Sequence, residues 1–508
     1  MKNKMALSTL VVIFIGIVSK IIGFVRDMFV AMFLGAGVEN DAFQIAQALP
    51  FSFLGTVALS ITTLYVTVHS EINDKYGKDQ AFQFSNQLLL SLMLFSFVIS
   101  IFGFISAPIL ISIFAPGFHN EGKQLAIYNT RIAFLSIVFH FYIAFASGYL
   151  NYKRKFFFAS LKGIFMNICL LALFIYLLFV NKTDVSIHLL MSMIVIGLCL
   201  YALILTWYMK KADYRFFFSK NETTIQYVKK FYLLLFPIIM GVGVVQLAPI
   251  CDRMIASFLE EGSVSALSYG GRLTLFGGSV ISTGIITVIY PQIVQWIQRE
   301  KTEAVWSLVK KYFVFFQGIT IPLTLFIFVQ SEEIVQLFFG RGNFTTDDVV
   351  MTANVVKFLC LSLPLYGMRE LYVKIFHAVQ DTRTPVQNGI VVVALNVVFS
   401  IFFSKVFGVG GIALGTSLSI VMMTMILHYQ LTKRLNITHS CFPWKDAIKM
   451  TVSALIAVAV LFFFLYVTPH SYYYLFIFFF IYCAIYLFIC FIMKVSWISE
   501  IKSKLRRR

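Results

Sequence analysis

The sequence predicts an all-α integral membrane protein of about fourteen transmembrane helices, arranged as two pseudo-symmetric six-helix lobes followed by two C-terminal helices. Three observations carry this. Of 508 residues, 59% are hydrophobic and 13% charged, with a mean hydropathy of +0.85, above what a water-soluble core of this length shows. The apolar residues gather in runs of about 20, the length a helix needs to cross about 30 Å of hydrocarbon. The basic residues collect on alternate sides of those runs.

The first run, roughly 8–30, follows "MKNKMALSTLVVIFIGIVS", which has the basic head and apolar stretch of a signal peptide but no A-x-A-like site after it, so it reads as an uncleaved first span. Further spans are expected at roughly 42–66, 86–114, 129–150, 157–180 and 186–209, which completes a first lobe over 1–210. A basic linker, 211–230, precedes a second set at roughly 231–258, 264–290, 313–338, 349–376, 386–404 and 409–431, a second lobe over 231–432. Two more spans, roughly 447–467 and 472–493, and a basic tail complete 433–508.

With the N-terminus placed in the cytoplasm, the inner segments hold 28 Lys and Arg residues and the outer loops only Lys123, Lys182, Arg341 and Lys405. That bias predicts cytoplasmic N- and C-termini through the positive-inside rule. The net charge of +18 is therefore mainly a topology signal, which excludes a nucleic-acid partner. Seven cysteines, odd in number and without C-x-x-C spacing, suggest neither a disulfide framework nor a zinc site and read as small buried hydrophobes.

An internal repeat supports the two lobes. "DMFVAMFLGAG" (27–37) and "DRMIASFLEEG" (252–262) share Asp, Ala, Phe, Leu and Gly at a constant offset of 225. The match joins the end of helix 1 to the end of helix 7, an even separation, so both copies cross in the same direction. Parallel repeats of this kind are a transporter architecture, with the substrate site between the halves.

Nine basic residues remain within or at the edges of spans: Lys20, Arg26, Arg131, Lys162, Arg253, Arg272, Lys357, Arg369 and Lys374. Each costs about 2.5–3.5 kcal/mol at the centre of a lipid-facing helix, so they cannot all face lipid. Lys162, Lys357 and Lys374 can snorkel to the interface. Lys20, Arg26, Arg253 and Arg272 lie on helices 1, 7 and 8, and three of them are guanidinium groups, whose planar fork suits carboxylate or phosphate. Two readings stay open: an internal ion pair of Arg26 or Lys20 with Asp27 that locks helices together, or a cation-lined cavity for an anionic ligand. The embedded acids, chiefly Asp27, Asp41, Asp252, Glu370 and Asp381, are fewer than the cations, which points to phosphate or carboxylate. No paired-carboxylate, metal-ligand or nucleophile arrangement stands out, so a transporter is expected rather than an enzyme.

The stretches "SKIIGFVRDMFVAMFLGAGVENDAF" (19–43), "ASFLEEGSVSALSYGGRL" (256–273), "FGRGNFTTDD" (339–348) and "AVQDTRTPV" (378–386) resemble, in order and spacing, the MurJ (MviN) family of lipid II flippases, within the multidrug/oligosaccharidyl-lipid/polysaccharide exporter superfamily. The resemblance covers essentially the whole chain. It implies a V-shaped, two-lobed cell-membrane transporter of peptidoglycan biosynthesis. Such a protein moves the undecaprenyl-diphosphate-linked precursor from the inner to the outer leaflet by alternating access, with another polyprenyl-diphosphate-linked glycan (teichoic, capsular or exopolysaccharide unit) as the alternative.

On that resemblance Lys20, Arg26, Asp41 and Arg272 are substrate-binding positions, with Arg253 beside them. Asp252 and Asp381 are the acids for ion coupling, by sodium or by the membrane potential, and no other cofactor is implied. The last two helices would form a groove for the lipid tail, and the partners are the lipid-linked glycan, the bilayer and, as a candidate, the cell-wall synthesis machinery. Two departures stand out: position 20 is Lys where the family usually has Arg, and "FSFLG" after Pro50 lacks the arginines many members place there. In "RGNFTTDD" the expected main role of Thr345, Thr346 and Asp347 is to cap the following helix.

Overall fold

The computed structural model describes residues 2–182, 184–217, 222–437, 443–467 and 474–496. Lys220 of the linker, Cys441 and the tail cations Lys502, Lys504, Arg506, Arg507 and Arg508 lie outside the described residues. Every regular element described is helical. In chain order they are α1 (Lys2–Leu34), α2 (Val38–Gln47), a π-turn (Ala48–Phe53), α3 (Leu54–Tyr76), α4 (Lys78–Phe114), α5 (Asn120–Tyr152), α6 (Phe156–Ala159), α7 (Lys162–Phe179), α8 (Ile187–Lys211), α9 (Glu222–Ala256) and α10 (Ser263–Gln298). There follow α11 (Thr302–Val329), α12 (Ser331–Phe339), α13 (Thr346–Leu359), a 3₁₀ turn (Cys360–Ser362), α14 (Leu363–Ala378), α15 (Arg383–Phe407), α16 (Val409–Arg434), α17 (Trp444–Val467) and α18 (Leu475–Ile492).

Among the described residues, 11 helical segments are long and apolar enough to cross a membrane, or 12 with the bent α9 counted as one span. The helices α1 and α10, of 33 and 36 residues, have the length to cross as well, which is consistent with the fourteen spans expected. Proline explains where spans are irregular. The span expected over 42–66 contains the π-turn around Pro50, whose missing N–H breaks the ladder. The span expected over 349–376 is interrupted at the 3₁₀ turn, just before Pro364 starts α14. In α9, the segments 222–241 and 246–256 meet at 48°, with Gly241 and Gly243 at the break and Pro237 and Pro249 on either side.

The chain divides into two compact units, residues 1–265 with 342–344, and residues 266–341 with 345–508. In the first, α5 is the central helix, packed by α2, α3, α4 and α8. Its small residues allow this: a Cβ at Gly148 would lie 2.9 Å from the Tyr65 ring. Tyr65, Phe84, Phe141, Phe145, Tyr149, Phe174 and Tyr201 fill the core and are fully buried. By contrast α4 leaves Phe97, Phe102, Ile105 and Ile109 exposed, the face expected to meet lipid. The unit also holds α9, which packs on α3 and α4. There Lys230 Nζ lies 2.8 Å from both Glu71 oxygens, and Lys75 donates to the same carboxylate at 3.0 Å.

In the second unit α16 is central, packed against α13, α14 and α15. Gly411 and Gly415 bring α15 close: a Cβ there would sit 2.1 Å from the Phe403 carbonyl and 2.7 Å from the Ser400 nitrogen. The two C-terminal helices pack on α11, where Tyr482 donates to the Pro322 carbonyl and Tyr486 to the Gly318 carbonyl, each at 3.0 Å. Pro322 has no N–H to donate, so the Gly318 carbonyl loses its usual intrahelical donor and Tyr486 supplies one. Phe462, Phe463, Phe476 and Phe480 remain exposed on these helices.

Candidate functional site

The charges of "SKIIGFVRD" separate on α1 as helix geometry demands. Six residues apart, Lys20 and Arg26 are turned by about 120°; Lys20 is exposed, whereas Arg26 and Asp27 are buried. Burial of a guanidinium requires acceptors. Arg26 donates from Nε and Nη2 to Asp27 Oδ1, at 3.0 and 2.6 Å, and from Nη1 to Asn167 Oδ1 at 2.9 Å. Asn167 sits on α7, itself buried.

Small residues create the seam that brings α7 so close to α1. A Cβ at Gly163 would lie 2.1 Å from Ser19 Oγ, and one at Gly23 would lie 3.3 Å from Asn167 Nδ2. Beyond the polar group, Phe29 and Phe33 stack on Phe174 at 5.8 and 5.0 Å. The seam therefore runs from small residues through one charged cluster to aromatic packing. Arg26 is thus paired with Asp27, and the pair is extended by an amide that sequence reasoning did not single out. The available signal was a lone Asn in the 18 residues of an otherwise apolar helix apart from Lys162.

Asp41, on α2, does a different job. Its carboxylate accepts from the backbone nitrogens of Gly262 and Ser265, at 2.8 and 2.7 Å, and from Ser265 Oγ at 2.5 Å. It thus satisfies orphan donors of the first turn of α10 and places a negative charge at that helix's positive end. Gly262 adopts φ +87, and a Cβ there would lie 2.0 Å from the Ala36 carbonyl. Here the need for glycine is both conformational and steric.

The "RGNF" loop completes this end of the first unit. Asn343 donates from its backbone to the Met32 carbonyl at 2.8 Å and from Nδ2 to the Phe33 carbonyl at 2.7 Å, which caps the last turn of α1. Gly342, at φ +62, approaches so closely that a Cβ would meet the Met32 carbonyl at 2.4 Å. The neighbouring Thr345 forms a capping box with Asp348 on α13, with bonds of 3.2 and 2.9 Å, so the expected capping role rests on Thr345 and Asp348.

The remaining candidates lie on other elements. Asp252 is buried and Arg253 half-buried in the last turns of α9. Arg272 is half-buried on α10 and belongs to the second unit, as does Asp381. Asp381 lies in the turn before α15, where both its oxygens are engaged: Oδ1 accepts from Thr384 N at 3.0 Å and Oδ2 from Thr384 Oγ1 at 2.7 Å. The backbone bond, then the side-chain bond, hold this carboxyl below the usual carboxylate range. Arg369 pairs with Glu370 at 2.7 Å and lies over the Tyr366 ring. Among the described residues, no group of three or more His, Cys, Asp and Glu is placed to hold a metal ion.

Comparison with known proteins places this arrangement in a family. The family model described as "Lipid II flippase MurJ" matches residues 30–484. A probable lipid II flippase MurJ from Rickettsia prowazekii is 27% identical over 432 residues, 84% of each chain. A counterpart from Thermotoga maritima is 26% identical over 406 residues, 79% of this chain and 80% of the other. Among solved structures, a lipid II flippase MurJ in an inward closed conformation superposes with a TM-score of 0.81 at 25% identity, covering 97% of this chain and all of the other. An inward-facing MATE transporter of the MOP superfamily shares the fold, with a TM-score of 0.67 at 14% identity over 82% of this chain and 94% of the other. With the family model spanning most of its length and the same helical architecture throughout, the chain belongs to the lipid II flippase MurJ family, a family of membrane transporters rather than enzymes.

Proposed function

We propose that this protein moves lipid II, the undecaprenyl-diphosphate-linked peptidoglycan precursor, from the cytoplasmic to the outer leaflet of the cell membrane. The observation that carries this reading is the match to the lipid II flippase family over residues 30–484. The membrane-embedded cations supply the chemistry. A diphosphate needs fixed positive donors, and Arg26, Lys20 and Arg272 offer them on α1 and α10. Asp27 offsets part of the Arg26 charge while holding it in place, which keeps the cation tolerable in an apolar lobe before substrate arrives.

Alternating access, with the N- and C-termini in the cytoplasm, would carry the head group outward while the polyprenyl tail stays in lipid. Moving anionic charge outward gains roughly 2.3 kcal/mol per charge per 100 mV of inside-negative potential. Cation entry would then reset the empty carrier. For that step Asp252, buried on α9, and Asp381, in the turn before α15, are the candidate acids.

Depletion in the native cell tests the reading. Outer-leaflet lipid II should fall, and wild-type protein should restore it while Arg26→Ala and Arg272→Ala, present at normal membrane levels, should not. Unchanged lipid II on depletion would overturn the substrate; normal export by both alanine variants would overturn the site.

A further inference from the structure

The Arg26 cluster contains a group whose role neither charge nor family membership assigns. Asn167 reaches from α7 to Arg26 Nη1 at 2.9 Å, and it is buried. A guanidinium carries five N–H donors and does not lose its proton in proteins. Asp27 takes Nε and one N–H of Nη2; Asn167 takes one N–H of Nη1. Among the described residues, one N–H is left on each terminal nitrogen, a pair that can grip two oxygens of one phosphate. An amide is suited to this third position because it accepts a hydrogen bond without adding charge, whereas a second carboxylate beside Asp27 would leave the cluster net negative and repel an anionic ligand.

We infer that Asn167 is a positioning residue: by fixing Arg26 Nη1 opposite the Asp27 clamp, it presents the remaining guanidinium N–H groups to a phosphate of the substrate. The inference rests on the reading of Arg26 as a diphosphate ligand. A merely structural role is the natural competitor, since Asn167 also packs against Gly23 in the α1–α7 seam.

A double-mutant cycle on the full-length protein separates the two, with binding of purified lipid II as the readout and thermal unfolding as the control for folding. Asn167→Leu, close to Asn in size but without the acceptor, should weaken binding about tenfold, the effect of losing one bond to a charged group. In an Arg26→Gln background the same substitution should change binding little, because nothing is left to position. Equal weakening in both backgrounds, or no weakening in the wild-type background, overturns the inference. If Arg26→Gln alone leaves lipid II binding unchanged, the failure belongs to the assignment of Arg26, and the inference falls with it. Should Asn167→Leu not fold, Asn167→Ala removes the same acceptor and runs the same cycle.

Discussion

The two helices that the sequence repeat relates, α1 and α9, both lie in the first compact unit, and they have been put to opposite uses. α1 runs 33 residues without proline and buries its Arg-Asp pair against α7. α9 carries Pro237 and Pro249, breaks by 48° near Gly241 and Gly243, and is tied at one end to α3 through Glu71 and Lys230. The turns that follow also differ. After α1, Gly37 has an extended φ of −128, while after α9 the equivalent Gly262 sits at +87 under the Asp41 carboxylate. The repeated segments thus share a helix, and glycine and proline decide whether it is broken; an unbroken helix can serve as a fixed post and a broken one as a pliable post.

If α1 is the fixed post, its lock should be expensive to break. Asp27→Ala leaves the buried Arg26 without its carboxylate and should cost about 3–5 kcal/mol, read as a large drop in unfolding temperature. Replacing both partners by apolar residues should cost less than this single change, so an equal or greater loss would show that packing, not charge, dominates the seam.

The next contrast is at the turns. Gly262→Ala should destabilise by about 2 kcal/mol or more, from the left-handed backbone and the 2.0 Å approach to Ala36. Gly37→Ala should be nearly neutral, since its φ is ordinary and no atom lies within 4 Å of its would-be Cβ. Asp41→Ala should fall between, at about 1–2 kcal/mol, as a lost helix cap.

If α9 is the pliable post, stiffening it should separate stability from transport. Gly241→Ala and Gly243→Ala should each gain up to about 1 kcal/mol of helix stability and yet slow export. Unchanged export in a stabilised double variant would break the comparison.

A modest effect is expected in the second unit, where Asp381 caps α15 at the surface. Its folded-state ionisation lies below the ordinary range, so its contribution is present above that range and is lost as pH falls through the folded value. Asp381→Ala should lose about 1 kcal/mol at neutral pH and show a flatter acid limb of stability.

How much of this could be read in advance follows from the range of each interaction. That the chain is helical and membrane-spanning was legible from hydropathy and charge asymmetry, because lipid leaves helices as the way for such a chain to satisfy its backbone, and that it is a transporter was legible from the internal repeat and the family stretches. The pairing of Arg26 with Asp27 was one of two open readings, since neighbours in sequence can always meet. The use of Asp41 as a cap for α10, by contrast, joins residues more than 200 positions apart. Nothing local marks it: Asp41 looks in sequence like any other embedded acid.

The sequence by itself determined the helices, their approximate ends, the family and the short list of charges that lipid could not tolerate. These properties depend on composition over one or two turns, or on the match of whole motifs. The tertiary structure alone decided which of those charges are spent on holding the protein together. Asn167 meets Arg26 only because Gly23 and Gly163 let α7 lie against α1, and Asp41 meets α10 only because Gly262 turns left-handed beneath Ala36. A charge in an apolar environment must find a partner, but which partner it finds depends on how closely two backbones can approach.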